Sequence, residues 1–153
     1  MPPRYLVPVD YSERCLAAYQ FALLLAAKQH GEVDVVHIWD KPAYVPDTVV
    51  VGSPGSQPRS LGDLIRENAE LEMREFLQRT PAPEGITVTH HLESGEPAAT
   101  ILRTAEATSA DTIVLSTHGR TGVRHFLLGS VAEKVVRLSP IPVITVPGPA
   151  EPA

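Results

Sequence analysis

The chain has 153 residues, a length that suits one domain spanning residues 1–153, and its 43% apolar content is ordinary for a folded globular protein. No apolar run reaches the roughly 18 residues of a membrane span, and the start, Met1-Pro2-Pro3-Arg4-Tyr5, lacks the pattern of a signal peptide, so a cytoplasmic location is the expectation. A net charge of -5 with no basic tract argues against nucleic-acid binding, and the lone Cys15 excludes an internal disulfide or a thiolate zinc site.

Tyr5-Leu6-Val7-Pro8-Val9 reads as a first strand, with Pro8 near its end where a missing N–H does least harm. Asp10-Tyr11-Ser12 is a turn, and Ser12 is a good N-cap for a first helix ending at about Gln29. Leu16, Tyr19, Leu23 and Ala27 mark its expected apolar side, and His30-Gly31 its stop. Val33 to Trp39 is nearly continuously apolar, as befits a central parallel strand, and His37 within it is expected to be buried and hydrogen-bonded. Trp39 can equally stack on a base or cover the sheet edge.

Asp40 to Ser60 carries four prolines and two glycines and no clear element, with Val49-Val50-Val51 as an apolar patch within it. Such a segment is a surface excursion, a lid or a partner contact. A second helix is expected from Leu61 to Arg79, with Leu61, Ile65, Ala69, Met73, Phe76 and Leu77 at helical spacing. Ile86 to Leu92 alternates apolar and polar residues, which places this third strand at a sheet edge. His90 and His91 point to opposite faces of it and do not share one metal. Gly95-Glu96-Pro97 opens a third helix with Ile101, Leu102 and Ala105 facing the core.

Asp111 to Pro147 holds the chemistry. A buried strand over Ile113-Val114-Leu115 ends in the turn Ser116-Thr117-His118-Gly119. A helix starts at Gly129-Ser130, with Ser130 and Glu133 spaced as a capping box and Val131, Val135 and Leu138 on the expected buried face. Ser139-Pro140 stops it, and Val143 to Val146 forms a last strand between two prolines. From Ser116 to Ser130 there is no acidic residue, while His118, Arg120, Arg124 and His125 are all present. A helix N-terminus behind a loop with glycines at 119, 122 and 129 is suited to bind an anion, phosphate above all. The plainer alternative is a solvated connection whose glycines serve only turns. No P-loop, dinucleotide fingerprint or nucleophile elbow is present.

Gly119, nine residues, then Gly129-Ser130, a helix and a proline-flanked final strand resemble the universal stress protein family. Its nucleotide-binding branch carries a further Gly where this chain has Ser116, a departure that bears on how closely a ribose or phosphate approaches. Alternation of strands and helices implies a parallel sheet. The resemblance implies an open five-stranded, Rossmann-like α/β sheet of order 3-2-1-4-5 with helices on both faces. The order then reverses between strands one and four, where ligands bind in open α/β sheets. Pro8, Val9 and Asp10 end one of these strands and Ser116 to Gly119 the other.

The resemblance implies ATP or a related adenine nucleotide at this crevice, with Mg²⁺ as a possible companion. Asp10 is the expected ribose contact and the backbone of Ile38 the adenine contact. Gly119, Gly129, Ser130 and Val131 are the phosphate candidates, with Gly122, Arg120 and His118 beside them. The last strand would pair with its copy in a homodimer. The expected function is a binding and regulatory module in a stress response, acting through an unknown protein partner. Two alternatives stay open: slow ATP hydrolysis at the same site, and a purely structural dimer without nucleotide, which Ser116 favours.

Overall fold

A computed structural model describes residues 1–39, 49–117 and 128–149 of the chain. In order the elements are β1 (Arg4–Pro8), α1 (Glu13–Gln29), β2 (Glu32–Trp39), β3 (Val50–Val51), β4 (Arg59–Ser60), α2 (Leu61–Arg79), β5 (Val88–Ser94), α3 (Pro97–Ala107), β6 (Thr112–Ser116), α4 (Ser130–Leu138) and β7 (Val143–Val146). Five strands form one parallel sheet in the order β5-β2-β1-β6-β7. Ranked along the chain among these five, that is the expected 3-2-1-4-5, with β5 and β7 at the edges.

Side-chain alternation along each central strand builds a core on each face. Tyr5 and Val7 of β1, Val33 and Val35 of β2 and Val114 of β6 pack against α1 and α2, around Tyr19, Met73 and Phe76. Leu6, Val36, Ile113 and Leu115 face the other way, onto Ala98, Ile101 and Ala105 of α3 and Ala132 and Val135 of α4. The sheet is therefore covered on both faces, which is why its central strands lack polar alternation.

Helix α1 starts where Ser12 Oγ accepts from the Cys15 amide. It stops at His30, in the left-handed conformation at φ 53°, and not at the adjacent glycine. Gly31 answers to a different constraint: a Cβ there would lie 2.5 Å from the Pro3 carbonyl oxygen. The buried side of α1 is Cys15, Ala18, Tyr19, Ala22, Leu23 and Ala26; of the expected face Tyr19 and Leu23 are buried, Leu16 is partly buried against the core and Ala27 is exposed. Ala18, Ala22 and Ala26 let the helix approach the sheet closely, beside Tyr19 and Leu23, and Leu24 and Ala27 lie outside.

Two further expectations need correction. The segment expected to carry no element forms a short antiparallel hairpin over its second half, pairing Val50 with Ser60 and Val51 with Arg59; residues 40–48 lie outside the described residues. Ser60 then caps α2 by accepting from the Asp63 amide at 3.0 Å. Helix α4 buries Ala132 and Val135, while Val131 and Leu138 are exposed. Its capping box does not form, because the N-cap is Gly129 and Ser130 is already the first helical residue. Glu133 turns instead to Arg137, whose Nε donates to it at 2.9 Å.

Candidate functional site

The ends of three strands and the starts of three helices enclose a cavity of about 280 Å³. Pro8, Val9 and Asp10 come from the end of β1, His37 and Ile38 from β2, Leu115, Ser116 and Thr117 from the end of β6. Cys15 of α1, Pro97 and Ile101 of α3, and Gly129, Ser130, Val131 and Ala132 at the start of α4 complete the wall. The cavity sits where β1 lies between β2 and β6, at the point where the sheet order reverses.

Local hydrogen bonds hold this wall. The Val9 amide donates to Val36 O at 2.8 Å and carries β1 one residue past its sheet register. Asp10 Oδ1 accepts from the Ser12 amide at 3.0 Å and from Ser12 Oγ at 2.6 Å, closing an Asx turn. The residue between, Tyr11, adopts φ 64°, an uncommon conformation for an aromatic residue. Stacking on His37 at 4.3 Å and a hydroxyl bond to Ala69 O at 3.3 Å hold it there. His37 Nδ1 lies 2.9 Å from Val9 O, and since a carbonyl only accepts, Nδ1 carries the proton.

Across the cavity, the Gly129 amide donates to Thr117 O at 2.7 Å, and the Thr117 amide to Val146 O at 3.2 Å. These bonds bring the first turn of α4 to the end of β6. No side chain caps that helix. The first-turn amides and the exposed Ser130 hydroxyl therefore stand at the cavity with the positive end of the helix dipole.

Of the twelve residues expected at a site, eight line this one cavity: Pro8, Val9, Asp10, Ile38, Ser116, Gly129, Ser130 and Val131. His118, Gly119, Arg120 and Gly122 lie outside the described residues. The lining also includes residues expected elsewhere. His37 is half-buried in the cavity wall, and Cys15 is a buried wall residue as well as a core one. Burial, with Asp10 alongside, pushes the Cys15 thiol up to about 11. Pro97 and Ile101 had a sequence signal only as helix-start and core residues. Among the described residues no three His, Cys, Asp or Glu side chains converge as a metal site. His91 instead bonds Asp34 Oδ1 through Nε2 at 2.7 Å, and His90 is exposed.

The chain is similar to universal stress protein YxiE of Bacillus subtilis, at 30% identity over 146 residues covering 94% of this chain and 97% of that one. Among solved structures it matches the hypothetical protein MJ0577 with a TM-score of 0.76 at 23% identity, over 99% of each chain. It also matches the universal stress protein from Archaeoglobus fulgidus in complex with dAMP, with a TM-score of 0.59 at 25% identity, over 95% of this chain and 97% of that one. The model of the universal stress protein family matches residues 1–147, and the chain belongs to that family.

Proposed function

We propose that this universal stress protein binds an adenine nucleotide, ATP foremost, and acts in the cytoplasm as a dimeric regulatory module. One observation carries the reading: Asp10 and the uncapped first turn of α4 open onto the same cavity from opposite sides of the switch point. About 280 Å³ stands at the small end of ligand pockets (roughly 300–1,000 Å³), room for the nucleoside part of a nucleotide. The base would lie among Val9, Ile38, Ile101 and Leu115, the ribose against Asp10, and the phosphates over Gly129, Ser130 and Val131. Among the described residues Asp10 is the only acid in the lining, so phosphates at the α4 end meet helix amides without a facing carboxylate. The dAMP complex of the Archaeoglobus relative supports the ligand class. His118, Gly119, Arg120 and Gly122, between β6 and α4 in the sequence, are proposed as further contacts to the phosphates.

Calorimetry with ATP, AMP and adenosine tests this. Wild-type protein should bind ATP, and Gly129→Asp should weaken it at least about tenfold by setting a carboxylate at the phosphate position. Asp is itself a good N-cap, so α4 should keep its helix. A wild-type chain that binds no adenine nucleotide would sink the reading and leave the structural dimer favoured by Ser116. ATP turnover that Gly129→Asp abolishes would make the site hydrolytic instead.

A further inference from the structure

Helices α3 and α4, which supply one wall of the cavity, are joined by a charge pair. Lys134 Nζ lies 3.5 Å from Glu96 Oε1. Glu96 immediately precedes Pro97, a wall residue, and its other oxygen caps α3 by accepting from the Ala99 amide at 2.8 Å. The Ala99 amide, and after it Lys134, hold the Glu96 carboxyl below the usual carboxylate range. Lys134 stands four residues after Ser130, hence on the same face of α4. Side chains on a helix lean toward its N-terminus, so Lys134 leans back toward the cavity end.

The pair is poised for exchange. Both side chains are about half exposed, at 49% and 52%. A separation of 3.5 Å is long against the roughly 2.7–2.9 Å of a tight charge-assisted bond. Glu96 is anchored by the cap it makes, while Lys134 sits on a flexible four-carbon stem. Arg137, the other cation of α4, is tied within its own helix to Glu133 at 2.9 Å. A lysine with this freedom responds to whichever anion is nearer.

We propose that Lys134 and Glu96 form a charge latch between α3 and α4: Lys134 grades ligands by their phosphate charge, and Glu96 competes with the ligand for it. This rests on the nucleotide reading above. An uncharged nucleoside leaves the pair in place. A polyphosphate over the first turn of α4 draws Lys134 from Glu96, so the charge of the ligand sets whether α3 and α4 remain bridged.

The test compares adenosine, AMP and ATP binding by calorimetry in wild type, Lys134→Gln and Glu96→Gln. Gln at 96 keeps an oxygen for the Ala99 amide, so the cap survives. Lys134→Gln should weaken ATP about two- to fivefold, and Glu96→Gln should tighten it by a similar factor, as expected for exposed charges. Adenosine should bind all three alike, and high salt should erase both ATP effects. If wild type binds ATP and the variants match it, the latch is wrong while the nucleotide site stands. Equal losses for adenosine and ATP would mark a structural role and also overturn it. If wild type binds none of the three, both proposals fail.

Discussion

Asp10 and Cys15 show how closely support and site are interleaved at the level of single residues. Asp10 Oδ1 braces Ser12, Ser12 caps α1, and the Cys15 thiol donates back to Ser12 O at 3.1 Å. A change at Asp10 therefore acts on the turn as well as on the cavity. The raised Cys15 pKa has a consequence for stability. An unfolded thiol titrates near 8.5, whereas the folded one titrates at about 11. The contribution of the neutral thiol is thus complete below the unfolded value and is lost as pH rises through the folded one. Between pH 8 and 11, wild type should lose on the order of 2–3 kcal/mol more than Cys15→Ala, read from urea midpoints at each pH. Parallel pH slopes for the two proteins would remove Cys15 from the account.

At the far end of the sheet another residue had no clear sequence signal. Asp34 is 4% exposed on a strand whose other inner residues are valines. Arg4 Nε approaches it at 3.8 Å and His91 at 2.7 Å, while Arg4 also pairs with Glu32 and donates to Thr108 O at 3.1 Å. A carboxylate so deeply buried requires such partners. They come from β1 and β5, on either side of it.

Among the elements, α2 depends on tertiary contact more than on its own sequence. Mixed charges cover most of its length, and only Ala69, Met73 and Phe76 are fully buried. Phe76 joins it to the rest through ring contacts at 5.5 Å with Tyr19 and 5.8 Å with Tyr11. Phe76→Ala should cost about 3–5 kcal/mol in chemical denaturation, with added loosening of the Tyr11 turn that borders the site. A loss under about 1 kcal/mol would mean that the cavity collapses without strain. Helix α4, nine residues long with Ala132 and Val135 buried, is too short to persist alone and rests on packing in the same way.

For the whole molecule, the edge β7 bears on assembly. Its partner on one side is β6, and Val136 and Leu138 of the preceding helix are exposed at 43% and 54%. Parallel order leaves an edge that invites a second chain, and homodimerisation through Val143–Val146 follows as a proposal. Thr145 is exposed on this strand, so Thr145→Lys should shift a dimer toward monomer in light scattering without unfolding it. A variant that stays dimeric would move the interface elsewhere.

The extent of each helix was legible in the chain itself. The bounds of Leu61 to Arg79 can be read from its 3.6-residue spacing, although its stability rests on packing, and Ser12, Pro97 and Ser139-Pro140 mark starts and stops through backbone chemistry local to them. The strand order and dimer edge came with the family resemblance, and the crevice with the switch-point rule. Which residues turn inward was decided only on packing: Ala18, Ala22 and Ala26 of α1 joined Tyr19 and Leu23 at the sheet, and Gly129 displaced Ser130 from the cap. The wall residues Cys15, His37, Pro97 and Ile101 escaped for the same reason. Local pattern determines what an element is, because its hydrogen bonds span a few residues. What an element touches depends on rotation and on partners far along the chain, as where the Arg4 amide meets Asp111, 107 positions away, and no window of sequence contains that.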